Sequence, residues 1–187
     1  IVQTYQPIDI IIVDDCSTDN TFSILNKYAT NHENVTLFKN EKNIGHVKTF
    51  EKGISLASGE FIAPCDQDDV WLPNKIEILV KHIGDNAIVY CDSEFIDASG
   101  QSLSKKMSDT KTLTDFDSPL MYIETGISAL GHAMLIKKEV ALAAMPFSIL
   151  FSHDNWLGFV ASFSGSVKFV NGTFVKYRLH DKNLTNA

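Results

Sequence analysis

Phe61-Ile62-Ala63-Pro64-Cys65-Asp66-Gln67-Asp68-Asp69-Val70-Trp71 decides how the rest of the chain reads. An apolar run too short for a helix feeds directly into three carboxylates, and a new helical pattern begins near Pro73. In an open α/β sheet, ligands gather at the carboxyl ends of the strands, which is where this acidic turn falls. Asp66 and Asp68 offer hard oxygen donors from one turn, the donor type that Mg²⁺ and Mn²⁺ prefer. Such a cation neutralises and orients a phosphate or diphosphate. The plain alternative is an exposed acidic cap on the next helix, because carboxylates stabilise a helix N-terminus.

Upstream, Ile8 to Val13 is an almost continuous β-branched run, the pattern of a strand covered on both faces. It ends in Asp14-Asp15-Cys16-Ser17-Thr18-Asp19-Asn20-Thr21, a turn and cap sequence, and a helix follows through Phe22, Ile24, Leu25 and Tyr28. Val35 to Phe38 reads as a second strand, Asn40 to Gly45 as a polar turn, and His46 to Ala57 as a helix stopped by Ser58-Gly59. Phe61 to Cys65 is then the third strand. This β-α-β-α-β alternation predicts a parallel sheet with right-handed crossovers, two of its strands ending in acidic turns along one edge.

Downstream, a helix from Pro73 to about His82 buries Ile76, Leu79, Val80 and Ile83, with Pro73 in its first turn. Ala87 to Asp92 is a fourth strand that again ends in an acid. Ser99 to about Pro119 is rich in Ser, Thr, Lys and Asp and reads as a long surface loop. Gly131 to Ile136 is a further strand, Val140 to Ala144 a short helix, and His153-Asp154-Asn155-Trp156-Leu157 opens another. Val167 to Tyr177 gives one or two strands around Asn171-Gly172, and the tail from Tyr177 to Asn183 is polar and basic.

At 187 residues the chain fits a single domain with an adequate core. Its net charge of −7 argues against a nucleic-acid partner, whose phosphates it would repel. A nucleotide held through a metal remains compatible, since the cation reverses the local sign. Cys16, Cys65 and Cys91 are odd in number and form no CxxC pair, so they read as thiols of a reducing compartment. No apolar run approaches the length of a membrane span, and no signal peptide is visible. The chain begins at Ile1 with no Met, so an N-terminal segment is expected to be absent.

Three separated pieces carry a resemblance. Ile-Ile-Val-Asp14-Asp15-Cys-Ser17-Thr18-Asp19 resembles the "VDDGSTD" turn of the family 2 glycosyltransferases, with Cys16 in place of the usual Gly. Asn43-Ile44-Gly45 matches the Asn-x-Gly that follows it there, and Cys-Asp66-Gln-Asp68-Asp69-Val-Trp71 resembles the family's acidic DXD motif as rhamnosyltransferase-like bacterial members carry it. The Gly131-His132 and His153-Asp154 segments resemble the acceptor-side half, so the likeness spans the chain in order. Two pieces of the family pattern are missing. Nothing before Ile8 supplies its opening strand and base-touching turn, and Thr49-Phe50-Glu51 stands where many relatives have Ala-Arg-Asn.

The resemblance implies a GT-A fold: a Rossmann-like, mixed but mainly parallel α/β sheet flanked by helices, its first strand expected to be missing. One domain over residues 1–187 would divide into a nucleotide-sugar half, about 1–98, and an acceptor half, about 99–187. It further implies that Asp14 or Asp15 meets the base or ribose, with Asn43, Gly45 and Asp66 also on the nucleotide-sugar side; in the tail, Arg178 stands close to His180 and is a candidate to meet the diphosphate with it. Asp66 and Asp68 would hold Mn²⁺ or Mg²⁺, and His180 is a further candidate ligand. Asp154 falls at the general base, with His153 and Trp156 on the acceptor side. Inverting transfer from a UDP- or dTDP-linked sugar to a saccharide or lipid-linked acceptor would follow, in bacterial surface polysaccharide synthesis. Such an enzyme is expected in the cytoplasm, in peripheral association with the inner face of the membrane.

The chemistry suits these residues. A departing diphosphate gathers charge that a cation stabilises, and a carboxylate takes the acceptor hydroxyl's proton. Asp154 in a partly apolar pocket beside Trp156 is expected to have a raised pKa, while Trp156 offers a ring for a sugar face. Against this, His-Asp-Asn is also an ordinary N-cap, Trp156 an ordinary core residue, and Asp14-Asp15 a plain cap for the helix at Thr21. His46 and His132 have no assigned role, and Glu124 is a second-choice acid or base.

Other classes fit parts of the pattern. A phospho-acceptor receiver module also pairs acids after one strand (Asp14, Asp15) with an acid after a later one (Asp66), but leaves Asp68, Asp69 and His153-Asp154 unused. A nucleotidyltransferase would need a Gly-rich basic phosphate loop, and none is visible. A binding-only relative is opposed by the intact acidic turn and Asp154.

Overall fold

The computed structural model describes residues 2–125, 129–181 and 183. Residues 126–128 and Lys182 of the polar tail lie outside the described residues.

β1 (Ile10–Asp14) and β2 (Val35–Lys39) pair in parallel around α1 (Thr21–Asn31), a βαβ unit as the alternation predicts. α2 (His46–Leu56) follows and buries Val47 and Ile54. Gly45 precedes it at φ 84°, a left-handed backbone that favours glycine. The second sheet runs in the order β3-β7-β5-β8-β4, with β6 paired to β5. Its strands are β3 (Phe61–Ile62), β4 (Val70–Trp71), β5 (Ile88–Ile96), β6 (Ser102–Lys106), β7 (Met134–Lys137) and β8 (Val167–Arg178). β5 is buried over nearly its whole length and anchors the core with Tyr90, Leu135, Ile136 and Leu157.

The sheet is mixed and flanked by helices, but less parallel than the alternation predicts. Of the six strand pairings among the described residues, β1–β2 and β5–β8 are parallel and the other four are antiparallel. The reason is connectivity: β4 follows β3 through the acidic turn alone, without a crossover helix to reverse the chain. β3 and β4 lie at opposite edges of this sheet, so residues 63–69 cross its end, from one edge to the other. That crossing places the acidic residues where several strands terminate.

Several boundaries differ from expectation. β3 stops at Ile62, and α3 (Lys75–Ile83) starts two residues after Pro73, with Ile76, Leu79 and Ile83 on its buried stripe. The expected loop from Ser99 carries β6 and a 3-10 turn, Met107–Asp109; β6 is fully exposed, which is why its composition reads as loop. Gly131–Ala133 is a 3-10 turn leading into β7, and not the start of the strand. α6 (His153–Ser164) packs against both α4 (Pro119–Thr125) and α5 (Lys138–Ala143). β8 is one long strand whose register against β5 shifts opposite Asn171-Gly172. All three cysteines are free thiols, and no helix among the described residues is long and apolar enough to cross a membrane.

Candidate active site

The acidic turn is braced from β8. The Arg178 backbone N–H donates to Asp69 Oδ1 at 3.0 Å, and its guanidinium donates to the Asp68 carbonyl at 2.8 Å. The same guanidinium reaches the Asp97 and Ala98 carbonyls, both at 3.1 Å. Arg178, expected to meet the nucleotide-sugar, therefore clamps the turn to the end of β5. His180, just beyond, places Nε2 2.8 Å from Asp68 Oδ2, bringing together two of the three residues the sequence proposed as ligands.

Asp66, Asp69 and His132 form a second cluster whose donor atoms all lie within 4.8 Å of one another. The Asp66 carboxyl is pushed up to about 6, first by burial and then by the charges of Asp154 and Asp68. Asp69 is pushed up to about 7, again chiefly by burial, against the lowering hydrogen bond from Arg178. Its Oδ2 is buried with no hydrogen-bond partner. A carboxylate pair held close, desolvated and partly unsatisfied is a donor set that a divalent cation fits. Sequence reading missed Asp69 and His132 as ligand candidates. Asp69 stood in the same acidic stretch, whereas nothing local marks His132, which the fold brings in from the turn before β7.

Lys75 was missed as well. It is fully buried at the start of α3, with Nζ 2.7 Å from the His132 carbonyl and 3.3 Å from the Trp71 ring centroid. Burial pushes its ammonium down to about 7. A lysine at a helix start ordinarily points to solvent, so no signal was available.

Asp154 lies in the first turn of α6, against the Gly131–Ala133 turn. Its Oδ1 accepts the Asn155 N–H at 2.9 Å and its Oδ2 accepts the Gly131 N–H at 3.4 Å. A Cβ on Gly131 would stand 2.8 Å from Asp154 Cβ, so only glycine allows this approach. The expectation of a raised pKa is corrected. Burial alone would raise the carboxyl, but the neighbouring His153 and hydrogen bonds from Ser152, Asn155 and Gly131 hold it below the usual carboxylate range. Asp154 is thus ionised at neutral pH. Its charge helps to push the Asp66 carboxyl up.

His153 and Trp156 do not present an open acceptor surface. His153 stacks on Phe50 with ring centroids 3.8 Å apart, and both its nitrogens are buried without a partner. Burial pushes it down to about 4, so it is neutral. Trp156 donates its indole N–H to the Ala144 carbonyl at 2.6 Å and packs against Phe151 and Phe159, so its polar edge is committed to α5. Glu124 is exposed on α4.

The first acidic turn is a different environment. Asp15 accepts hydrogen bonds from Asn40 at 2.8 Å and from the backbone N–H groups of Ile44 and Gly45, both at 2.9 Å. Burial would raise it, but these bonds and one from Thr49 hold it low. Asn43 also accepts from the Gly45 N–H, at 3.2 Å. Asp15, Asn43 and Gly45 are thus brought together, as one hydrogen-bonded corner. Asp14 is buried; its Oδ2 accepts the Ser17 N–H at 3.2 Å, and its Oδ1 has no partner. Cys16 sits at φ 64°, the strained position where the family has glycine. An open cleft of about 460 Å³, lined in part by Asp92, Ser108, Lys111, Phe169 and Asn171, includes none of these residues.

Residues 1–141 match the family model described as glycosyl transferase family 2. The chain belongs to that family. An uncharacterized glycosyltransferase of Rickettsia typhi is 33% identical over 196 aligned residues, covering 100% of this chain and 59% of the relative. The chain thus spans about three fifths of that relative's length. The Escherichia coli protein WcaA, provisionally named for colanic acid biosynthesis, is 38% identical over 43% of this chain and 29% of its own length. In structure, Staphylococcus aureus TarS in complex with UDP-GlcNAc superposes with a TM-score of 0.70 at 18% identity, over 97% of this chain and 53% of that one. At that identity the likeness shows the GT-A glycosyltransferase fold. Family membership sets aside the receiver-module and nucleotidyltransferase readings.

Proposed function

We propose that this domain transfers a sugar, with inversion, from a UDP- or dTDP-linked donor to an acceptor hydroxyl, assisted by Mn²⁺ or Mg²⁺. The observation that carries the reading is the clustering of Asp66, Asp69 and His132 beside the Gly131 backbone that donates to Asp154, so that a base-side carboxylate is built next to the acidic turn. Asp66 and Asp68, with His180 beside Asp68 and Asp69 and His132 behind, would hold the cation. When bound, that cation neutralises the charge gathering on the departing diphosphate.

The chain's own residues supply the rest. Asp14 Oδ1, buried without a partner, accepts an N–H of the base or a ribose hydroxyl, while Asp15 keeps the Asn43–Gly45 corner in shape beside it. Arg178 holds the acidic turn taut through the Asp68 carbonyl. Asp154 accepts the proton of the attacking hydroxyl at Oδ2, the oxygen less firmly held by its neighbours. Because one displacement occurs at the anomeric carbon, configuration inverts. The nucleotide-sugar half covers about residues 1–98 and the acceptor half about 99–187. The names of relatives such as WcaA support a role in bacterial surface polysaccharide synthesis. The exposed Ile149 and Leu150, on the loop entering α6, suit a lipid-linked acceptor taken from the inner face of the cell membrane.

The test is a thermal-shift panel of UDP, dTDP, GDP and their sugars, with and without Mn²⁺. A ligand at about a hundredfold over its Kd adds about 2.7 kcal/mol. For a chain of this size that is a rise of roughly 5–10 °C. The reading requires a shift with one nucleotide that depends on Mn²⁺ and vanishes in Asp68→Ala. No shift with any nucleotide would overturn it.

A further inference from the structure

Lys75 is buried at 0% exposure, and no step above uses it. Its stem rises from the first position of α3, beyond the acidic turn and β4, and its ammonium lies over Trp71 and donates to the His132 carbonyl at 2.7 Å. It forms none of the ion pairs found among the described residues. An ammonium carries three donors, and a dry slot that offers one carbonyl and a ring face is a poor place to gain stability from a charge. The arrangement makes better sense as a tether. His132 belongs to the 3-10 turn Gly131–Ala133; its ring is held by Ser93 Oγ at 2.7 Å and shares a cluster with Asp66 and Asp69. Gly131, one residue earlier, donates to Asp154 and packs so closely that no Cβ fits between them. Any movement of the Gly131–His132 backbone therefore reaches both Asp154 and the acidic turn.

We infer that Lys75 is a positioning residue, whose ammonium locks the Gly131–His132 backbone beneath the acidic turn and so fixes Asp154 relative to Asp66 and Asp69. The kinetic consequence rests on the transferase reading; the structural one does not. Lys75→Met keeps the stem and removes the charge and the hydrogen bond. In amide NMR spectra of the whole chain, its changes concentrate at Gly131, His132, Asp154 and Asn155, while β1 and β2 keep wild-type positions. With donor and acceptor, kcat falls by about a hundredfold, the scale of an ångström-level misplacement. The donor KM changes less than kcat, because the Asp14–Asp15 turn and the Asn43–Gly45 corner proposed to meet the nucleotide do not touch the tether.

Wild-type resonances at Gly131 and Asp154 in the variant would overturn the inference. So would changes spread evenly over β1 and β2, which would make Lys75 a general core residue. If Lys75→Met does not fold, Lys75→Gln is measured in its place, with the same localised pattern expected at smaller amplitude and the same overturning results. A localised pattern in a protein whose wild type turns over no nucleotide-sugar would leave the tether standing and remove the transferase reading.

Discussion

The chain has two acidic turns after two strands, Asp14-Asp15 after β1 and Asp66 to Asp69 after β3, and in sequence they look alike. In the fold their carboxylates behave in opposite ways. Asp15 accepts two backbone N–H groups and an amide, and is held below its ordinary pKa. Asp66 is pushed upward by burial and by the charges of Asp154 and Asp68, Asp69 by burial and by the charges of Asp66 and Asp68, and one oxygen of Asp69 has no partner. A carboxylate that its own protein satisfies is building the structure; one left desolvated and short of partners is waiting for a ligand. Asp14 is the exception inside the first turn, because its Oδ1 is also buried and unpaired.

The largest expected effect lies where the second turn meets α6. Asp154→Asn keeps the shape and, through its one amide oxygen, the shorter Asn155 contact, but loses the Gly131 acceptor and cannot take a proton. Its transfer rate falls by about 10²–10⁴-fold, the usual contribution of a general base. Nucleotide affinity in Mn²⁺ remains at the wild-type level, read by calorimetry on the same preparation. A variant that transfers normally would return Asp154 to a helix cap and leave the second turn without a base.

Next in size is a stability contrast between the turns. Asp15→Ala removes charged hydrogen bonds that close the Asn43–Gly45 corner, costing about 2–3 kcal/mol, or roughly 4–12 °C in Tm. Asp66→Asn does the reverse at pH 8 in EDTA: it relieves a buried, repelled charge and raises Tm by a few degrees, at the expense of Mn²⁺-dependent nucleotide binding. Two Tm values and two titrations decide this. If both variants lower Tm alike, the turns do not differ as described.

Much of this was legible in the sequence. The βαβ opening, the acidic turn between β3 and α3, and the helix start at His153-Asp154 follow from period, caps and strand-end logic, because those depend on neighbours along the chain. β6 was not legible, since an exposed edge strand of Ser and Lys has no apolar alternation to betray it. Neither was the share of antiparallel pairing, which is set by how β3, β4 and β7 are threaded across the sheet and not by any local pattern. The site divides along the same line. Asp66, Asp68 and His180 could be named because motif and tail composition marked them. His132 and Lys75 could not, because their roles come from burial against residues more than fifty positions away, Lys75 against His132 among them. The pKa of Asp154 was misjudged in direction for a related reason: its burial was anticipated, but the hydrogen bonds of Ser152, Asn155 and Gly131 belong to the fold.

The smallest effect is the sharpest test of the electrostatic contrast, because in the wild type it nearly cancels. His132 and His153 are pushed down to about 3 and about 4 by burial, so the unfolded chain binds two protons that the fold refuses as pH drops through 6.5. That lowers stability towards acid. Asp66 and Asp69 work the other way: raised to about 6 and about 7, they take up protons in the fold that the unfolded chain binds only near 3.8. Between pH 6 and pH 4.5 the two pairs offset each other, and the stability of the metal-free protein stays nearly flat. In the double variant Asp66→Asn, Asp69→Asn the histidine effect stands alone, and stability falls towards acid by about 1.4 kcal/mol per pH unit for each uncompensated proton. Urea midpoints measured in EDTA at half-unit steps read the slope directly. A double variant as flat as the wild type would mean that neither the two histidines nor Asp66 and Asp69 bind protons as described, and the distinction between the two turns would lose its electrostatic basis.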